Sequence, residues 1–182
     1  MKTRTLTVSL VMLAIVFAGI AKADDDSGKK KRSSGKKAKQ AEAIFDKIKS
    51  LSGDWIATKG EHKGELTLSV RVIAGGTAVV ETEFPGSPQE MITVYHLDGN
   101  KVMLNHYCML GNQPRMRVKK GDNDDTLVFE FAGATNLASK DDAHMHEGKL
   151  KFVDQDTVHS TWVMFKDDKA MEEHTFEMTR KK

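Results

Sequence analysis

Cysteine is nearly absent from this sequence. Cys108 is the single cysteine in 182 residues, so no intrachain disulfide can form. A small, buried core residue is the simplest role for a lone cysteine, because free cysteines are commonly buried. A reactive thiol and an interchain disulfide are the alternatives that the sequence leaves open.

Long apolar runs are also scarce, and the clearest one lies near residue 1. Leu6 to Ile20 follows the basic residues Lys2 and Arg4 and precedes the small-x-small site Ala21-Lys-Ala23. This arrangement predicts a secretory signal peptide over residues 1–23. The run is shorter than the roughly 20 residues of a membrane span. We therefore expect a secreted or periplasmic protein with no transmembrane segment after signal cleavage.

Enzyme signatures are missing as well. The sequence has no alternation of strands and helices and no phosphate-binding glycine loop, which disfavours nucleotide-dependent enzymes. No nucleophile-elbow glycines surround Ser139 or Ser160. His106 and Cys108 share one strand face and could form a thiolate–imidazole pair, although such pairs are usually packing residues. The sequence assigns no catalytic residue and favours a non-enzymatic role, with activity left open.

Charge is distributed unevenly along the chain. Residues 24–40 contain seven Lys or Arg and three Asp, whereas the chain from Ala41 onward contains 18 Lys or Arg and 23 Asp or Glu. Residues 24–40 lack aromatic and β-branched residues, which predicts a disordered Lys-rich linker. This arm is either a solvated spacer or an attraction site for an anionic envelope polymer. No aromatic residue interleaves the lysines, so we expect no nucleic-acid partner.

Residues 41–182 predict one β-barrel domain. A short helix with an apolar stripe at Ile44, Ile48 and Leu51 ends at Ser52-Gly53. Short extended runs with hairpin-length connections follow. The ten runs are Gly53–Lys59, Glu65–Ile73, Thr77–Phe84, Glu90–Leu97, Lys101–Met109, Arg115–Lys119, Thr126–Ala132, His144–Val153, Thr157–Lys166 and Lys169–Thr179. We expect an all-β fold, an antiparallel up-and-down barrel of about ten strands with a short N-terminal helix, because closure removes exposed edges.

Three residues carry a resemblance to a known family. Gly53-Asp-Trp55 opens the first strand just after the short helix, and Arg180 closes the last strand. This layout resembles the calycin superfamily, the lipocalins and their relatives, and ten strands fit its nitrobindin-like and fatty-acid-binding-like branches. The resemblance implies that Trp55 packs across the barrel floor with Arg180 over its ring, a cation–π contact of about 0.5–2 kcal/mol. The string from His106 to Met116 also resembles uncharacterised exported bacterial lipocalin-like proteins.

The hairpin Met91–Met116 concentrates chemically capable side chains. It holds two of the seven histidines, both tyrosines and Cys108. A three-residue Asp98-Gly-Asn100 loop would turn one face inward, namely Ile92, Val94, His96, Val102, Leu104, His106 and Cys108. A two-residue loop would instead bring Thr93 and Tyr95 onto the His106 side. The candidate ligand-binding residues of the barrel are His106, Cys108, Tyr95, Arg115 and Trp162.

Histidines on other strands suggest a metal or haem site. His144 and His146 alternate with Leu150 and Phe152 and are predicted to face inward, as is His174. Together with His106 they would converge on one cavity, where three imidazoles can hold a transition metal. In nitrobindin-like barrels a late-strand histidine binds haem, a role to which the place of His174 is loosely comparable. The alternative is that His144 and His146 hydrogen-bond backbone or water near the barrel mouth.

The function predicted from these patterns is ligand binding. We expect an exported lipocalin-like protein that holds a small apolar or amphipathic ligand in its barrel. The first alternative is a haem- or metal-binding barrel that uses the inward histidines. The second is a structural envelope protein whose barrel interior is filled.

Overall fold

The computed structural model describes residues 26–182, with side-chain burial for residues 34–171 and 173–182. The predicted signal peptide, residues 1–23, lies outside the described residues. Residues 26–182 form one long helix and ten strands. The elements are α1 Asp26–Lys49, β1 Gly53–Ala57, β2 Leu66–Ile73, β3 Ala78–Glu83, β4 Met91–Asp98, β5 Lys101–Tyr107, β6 Gln113–Lys120, β7 Thr126–Thr135, β8 His144–Phe152, β9 Thr157–Lys166 and β10 Lys169–Arg180. Each predicted run corresponds to one strand.

The strands form a closed antiparallel barrel in up-and-down order. Each strand pairs with its neighbours in the chain, and β1 pairs with β10 to close the sheet. The register of closure places Trp55 opposite Arg180. The last hairpin turns through Asp167 and Asp168, both at positive φ, as a type I′ turn requires. The predicted fold class is therefore confirmed.

The β4–β5 hairpin has a two-residue loop. Asp98 pairs with Lys101, so Gly99 and Asn100 alone make the turn, and Gly99 has φ +59°. A glycine suits this position, because type I′ and II′ turns need positive φ at the first loop residue. Thr93 consequently lies opposite His106, and Tyr95 opposite Leu104. This corrects the expected three-residue loop: Ile92, Val94 and His96 lie on the outer face.

Helix α1 covers one end of the barrel, which we call the closed end. Ala41, Phe45 and Ile48 are buried in the same hydrophobic core as Val102 and Val118. The helix also reaches the end of β8, where the Lys47 ammonium lies 4.5 Å from the centre of the Phe152 ring. The apolar stripe predicted at Ile44, Ile48 and Leu51 is the buried face, as its spacing indicates.

The start of α1 differs from the prediction. The helix begins at Asp26, whereas residues 24–40 were predicted to be disordered and the helix to begin near Ala41. Lysine, alanine and glutamine are good helix formers, and extending a helix that is already nucleated costs little. The docked second half of α1 therefore supports continuation toward its N-terminus, against the unfavourable Ser33-Ser-Gly35 sequence.

The closed end is completed by Trp55 and Arg180. The Arg180 guanidinium lies 4.3 Å from the Trp55 ring centre, and the Trp55 indole N–H donates to the Leu51 carbonyl at 2.8 Å. Arg180 also donates to the Ser52 carbonyl at 2.6 Å. Gly53 has φ +127°, and a Cβ there would lie 3.0 Å from Arg180 Nη1. A glycine is therefore required where the chain passes under the guanidinium, and the predicted arrangement of these three residues is confirmed.

Candidate functional site

A cavity of about 250 Å³ opens at the barrel end opposite α1. We call this the open end and the space the rim cavity. Its walls combine inward side chains of the strands with residues of the connecting loops. The apolar and aromatic lining residues are Phe84, Met91, Met109, Met145, Trp162 and Phe176. The polar lining residues are Glu61, His62, Glu83, Gln89, His106 and His174. A mostly apolar cavity with a few converging polar groups is the usual form of a small-molecule site.

His106 is held at the cavity by a chain of hydrogen bonds across three strands. The Thr93 hydroxyl on β4 lies 2.8 Å from Glu83 Oε1 on β3 and 2.9 Å from His106 Nδ1 on β5. Glu83 Oε1 is itself 3.6 Å from His106 Nδ1. Thr93 and His106 are 0% and 1% exposed, so these bonds are shielded from water. Low local dielectric strengthens such a network and makes any missing partner costly.

The hydrogen bond from the Thr93 hydroxyl to Glu83 favours one tautomer of His106. The Thr93 hydroxyl has one hydrogen and donates it to the Glu83 carboxylate, which can only accept. Thr93 can then only accept from His106, so Nδ1 carries the hydrogen. Nε2 is left with a bare lone pair. Burial also lowers the pKa of His106, against the opposing charge of Glu83, which favours the neutral ring.

His106 Nε2 has no hydrogen-bond partner. Within the described part of the chain it is one of three buried side-chain polar atoms in this state, with Asn112 Oδ1 and Arg117 Nε. Of these, His106 is the residue that lines the rim cavity. Because nearly all buried polar groups in proteins are paired, an unpaired ring nitrogen on a residue that lines a cavity indicates a place for a ligand atom or a metal.

A second polar pair lies deeper on the same wall. The Tyr95 hydroxyl donates to Glu81 Oε2 at 3.1 Å, and both residues are buried. Burial, reinforced by the neighbouring charge of Glu83, raises the pKa of Glu81 well above its ordinary value. Burial and then the charge of Glu81 raise the pKa of Tyr95 as well. The raised pKa favours the neutral form of Glu81. The hydroxyl of Tyr95, a predicted ligand contact, is already bonded to Glu81, and Tyr95 does not line the cavity.

Aromatic rings surround His106 and the mouth of the cavity. The Trp162 ring centre lies 5.1 Å from that of His106 and 5.4 Å from that of Phe129. At the mouth, Phe84 packs 4.8 Å from His62 and 5.5 Å from Phe176, centre to centre. Phe84 has φ +50°, a conformation that bulky residues rarely adopt and that costs on the order of 1–3 kcal/mol. Strain of this kind is typical of ligand sites.

His174 lies on the inner face, as predicted. It pairs with Trp162 across the β9–β10 ladder and lines the rim cavity, although its side chain is exposed at the mouth. His106 and His174 are thus the two predicted metal ligands that the fold brings to one cavity. Among the described residues, no group of three or more His, Cys, Asp or Glu side chains is placed to hold a metal ion together.

His144 and His146 do not face the cavity. The β8–β9 register shifts between Met145 and Glu147, so Met145 lies opposite Met164 on the inner face and His144 lies opposite Phe165. This bulge interrupts the alternation from which both histidines were predicted to point inward, and neither lines the rim cavity. The two rings bond to each other, His144 Nε2 to His146 Nδ1 at 2.9 Å, and His144 Nδ1 donates to the Asp142 carbonyl at 2.7 Å. A metal-binding role for this pair stays a prediction.

Aromatic packing further occupies the two histidines. The His146 ring stacks 4.5 Å from Phe131 and 4.1 Å from Phe165. Burial, and then the neighbouring His144, lowers the pKa of His146. The arrangement matches the alternative expected from the sequence, hydrogen bonding to backbone near the barrel mouth.

The remaining predicted ligand contacts, Cys108 and Arg115, lie away from the cavity lining. Cys108 is buried just beyond β5, and burial raises the pKa of its thiol, which disfavours a thiolate. This is in line with a small core residue. The Arg115 side chain is exposed, and its neighbour Met116 takes the inner face of β6. The position of Arg115 corrects the prediction that it contacts a ligand in the barrel.

Sequence reasoning missed Glu81 and Glu83, and it placed Thr93 on the His106 side only in the alternative with a two-residue loop. The strand from Ala78 to Glu83 places Val79, which is fully buried, on the same face as the two glutamates. A signal was present, because two Glu at i and i+2 inside a short apolar strand are unusual on a buried face. Thr93 could be placed beside His106 only once the two-residue hairpin loop was known.

Basic side chains line the surface along α1. A groove of about 280 Å³ between the helix and the barrel is bordered by Lys37, Lys101, Arg117, Lys119 and Lys120. Lys119 pairs with Glu130, and Lys120 pairs with Asp124, so part of this charge is neutralised. Within residues 26–182, no helix combines the length and apolar character needed to cross a membrane.

The geometry defines a class: a closed ten-stranded antiparallel barrel with a helix over one end and a small cavity at the other. Comparison of the chain with protein-family models, curated proteins and solved structures found no match. The function is therefore argued from the site itself.

Proposed function

We propose that this chain is an exported, calycin-like binding protein that holds a small apolar or amphipathic ligand in the rim cavity. The observation that carries the proposal is His106 Nε2, a buried acceptor without a partner, facing walls of Met, Phe and Trp side chains. The apolar walls would supply affinity, and the hydrogen bond to His106 would fix the orientation of the ligand. No catalytic residues are assigned to the cavity.

Two further features support the class and the location. The contact between Arg180 and Trp55 at the barrel floor, with Gly53 beneath the guanidinium, is the arrangement expected of a calycin. Residues 1–23 have the charge and hydropathy pattern of a secretory signal, which supports export. A barrel with a filled interior is the weaker alternative, because its wall polar groups would then be paired.

A pair of matched variants tests the proposed site. Met91 lines the rim cavity, and its neighbour Ile92 lies on the outer face of the same strand. Met91→Trp places an indole in the cavity, whereas Ile92→Trp places the same group outside. We expect calorimetric titration with neutral one- or two-ring aromatic probes to show binding to the wild type and to Ile92→Trp. Binding to Met91→Trp should fall at least about tenfold. Equal affinities for the two variants, or no binding to the wild type, would contradict the proposal.

The second candidate is a haem or transition-metal protein. It is favoured by the hydrogen bond from His106 Nδ1 to Thr93 and on to Glu83, because metal-ligating histidines usually donate their other N–H to an acceptor of this kind. One histidine is sufficient as the protein ligand of haem, and the hydrogen bonding of His106 suits such a ligand, with His174 at the mouth. The cavity of about 250 Å³ would have to widen to admit a porphyrin. A hemin titration followed by absorbance distinguishes this candidate. A Soret shift that is lost in His106→Phe and kept in His144→Phe would support it.

A further inference from the structure

We infer that the ligand of the rim cavity is a small aromatic molecule that donates a hydrogen bond and carries no negative charge, such as an aryl alcohol or an aryl amine. The inference rests on the proposed function and specifies its ligand class. It excludes the carboxylate-headed lipids as the main ligands.

The first step is the acceptor character of His106 Nε2. When the Thr93 hydroxyl donates to Glu83, Thr93 can only accept from His106 Nδ1, which leaves a lone pair on Nε2. Nε2 is buried without a partner, on a residue that lines the cavity. The His106 ring is 1% exposed, so Nε2 is shielded from bulk water. A ligand hydroxyl or N–H would satisfy the buried acceptor. A ligand that can only accept would leave it unpaired.

The second step is the charge around the cavity. Glu61 and Glu83 line it, and among the described lining residues none is Lys or Arg. The nearby Lys59 side chain is exposed and pairs with Glu177 at 2.9 Å. A bound carboxylate would therefore meet two carboxyl groups and no Lys or Arg, and His62 at the mouth already lies 2.9 Å from Glu65. Burying a charge without a partner is strongly unfavourable, which disfavours anionic ligands.

The third step is the shape and composition of the walls. Trp162 and His106 present neighbouring rings, and Phe84 and Phe176 pack edge to face at the mouth. Aromatic ligands gain from offset or edge-to-face contacts with such rings. The volume of about 250 Å³ lies just below the range of roughly 300–1,000 Å³ that is common for drug-sized ligands. One or two fused rings suit this space.

Three probes of one shape test the inference on the full folded protein. The first is 2-naphthol, which is neutral and donates a hydrogen bond. The second is 2-methylnaphthalene, which neither donates nor accepts a hydrogen bond. The third is naphthalene-2-carboxylate, which is anionic at pH 7. We expect 2-naphthol to bind most tightly in calorimetric titrations. 2-Methylnaphthalene should bind about 10- to 100-fold more weakly, because it leaves the buried acceptor unpaired. The carboxylate should show no measurable binding.

The variant His106→Phe tests whether the preference for 2-naphthol depends on His106. His106→Phe should remove the advantage of 2-naphthol over 2-methylnaphthalene, while His144→Phe, at a buried histidine that does not line the rim cavity, should keep it. The affinity order in the unaltered protein is a test by itself, so the inference can be overturned even if His106→Phe does not fold. Binding of the carboxylate as tightly as 2-naphthol would overturn it, as would equal binding of 2-naphthol and 2-methylnaphthalene. In both cases the proposed binding function would stand, whereas failure of all three probes would overturn both.

Discussion

Each end of the barrel has a polar side chain beside a tryptophan ring, but the two side chains differ in how many of their hydrogen-bonding atoms have partners. At the closed end, Arg180 lies over Trp55 and also bonds to the Ser50 and Ser52 carbonyls and to Asp156. At the open end, His106 lies beside Trp162 and uses one ring nitrogen, while the other has no partner. The comparison teaches that completeness of hydrogen bonding separates a structural cluster from a binding site built on similar side chains.

The two ends also differ in what covers them. Helix α1 buries Phe45 and Ile48 over the closed end, and the loops of the open end leave a cavity between Phe84 and Trp162. Stability should therefore depend on residues at the closed end, and ligand affinity on residues at the open end. Four substitutions test this division, in descending order of expected effect.

Trp55→Ala should have the largest effect on stability. The substitution removes a 1% exposed indole, its hydrogen bond to Leu51 and the surface on which Arg180 rests. We expect the free energy of unfolding to fall by about 3–5 kcal/mol, the range for large-to-small core substitutions. Urea denaturation followed by circular dichroism measures it. A loss below about 1 kcal/mol would show that the closed end is not the structural centre of the barrel.

Glu81→Gln should change how stability depends on pH. Because the pKa of Glu81 is raised in the folded state, folding retains a proton that the unfolded chain releases above about pH 4.3. This group's contribution to wild-type stability is therefore fully present below that pH and is lost as the pH rises toward the folded pKa. The variant lacks the titration, so its stability relative to wild type should rise with pH by about 1.4 kcal/mol per unit in this window.

Denaturation curves at several pH values check the Glu81 prediction. Glutamine still offers an oxygen to the Tyr95 hydroxyl, so the hydrogen bond is preserved in the variant. Glu42→Gln, at an exposed site on α1, makes the same carboxylate-to-amide change away from the barrel interior and is the matched control. A constant difference between Glu81→Gln and wild type across this range would mean that Glu81 titrates normally in the folded protein.

Arg180→Lys should have a moderate effect at the closed end. Lysine keeps the charge but lacks the planar fork that reaches the Ser50 and Ser52 carbonyls and Asp156 together. We expect a loss of about 1–2 kcal/mol, given the size of single hydrogen bonds and of the cation–π contact. Thermal unfolding is the measurement, and affinity for 2-naphthol should stay within about twofold of wild type. A stability equal to wild type would show that charge alone is sufficient at this position.

His106→Phe should have the smallest effect on stability. Thr93 keeps its hydrogen bond to Glu83, and the unpaired Nε2 acceptor is removed. We expect the free energy of unfolding to change by less than about 1 kcal/mol, since deleting an unsatisfied polar atom offsets the lost bond to Thr93. Urea titration gives the value. A loss as large as that of Trp55→Ala would place His106 among the structural residues and remove the contrast between the two ends.

Much of the barrel follows from the sequence by local physical rules. The ten strands follow from turn residues between apolar runs, and the Gly53, Trp55 and Arg180 arrangement follows from a family layout. His106 and His174 were placed on the inner face by alternation, which the register supports. Trp162 was named as a ligand contact, and it lines the rim cavity. These predictions depend on short sequence separations or on a motif.

The rest of the site depends on register details that composition does not encode. One residue in the β4–β5 loop decided that Thr93, rather than Ile92, shares a face with His106. A bulge at His146 shifted the register around His144 and His146, and neither lines the rim cavity. A single-residue shift exchanges the two faces of a strand, so the chain of Glu83, Thr93 and His106 could not be assembled from the sequence alone.

The tautomer of His106 shows directly whether Nε2 is a hydrogen-bond acceptor in the rim cavity. Long-range ¹H–¹⁵N NMR spectra of uniformly labelled protein distinguish a protonated ring nitrogen from a bare one, and the signals missing in His106→Phe assign the residue. At neutral pH we predict a protonated Nδ1 and an unprotonated Nε2, with a shift of Nε2 when 2-naphthol is added. A protonated Nε2 in the absence of ligand, or an imidazolium at neutral pH, would contradict the account, because the cavity would then hold a donor and not an acceptor.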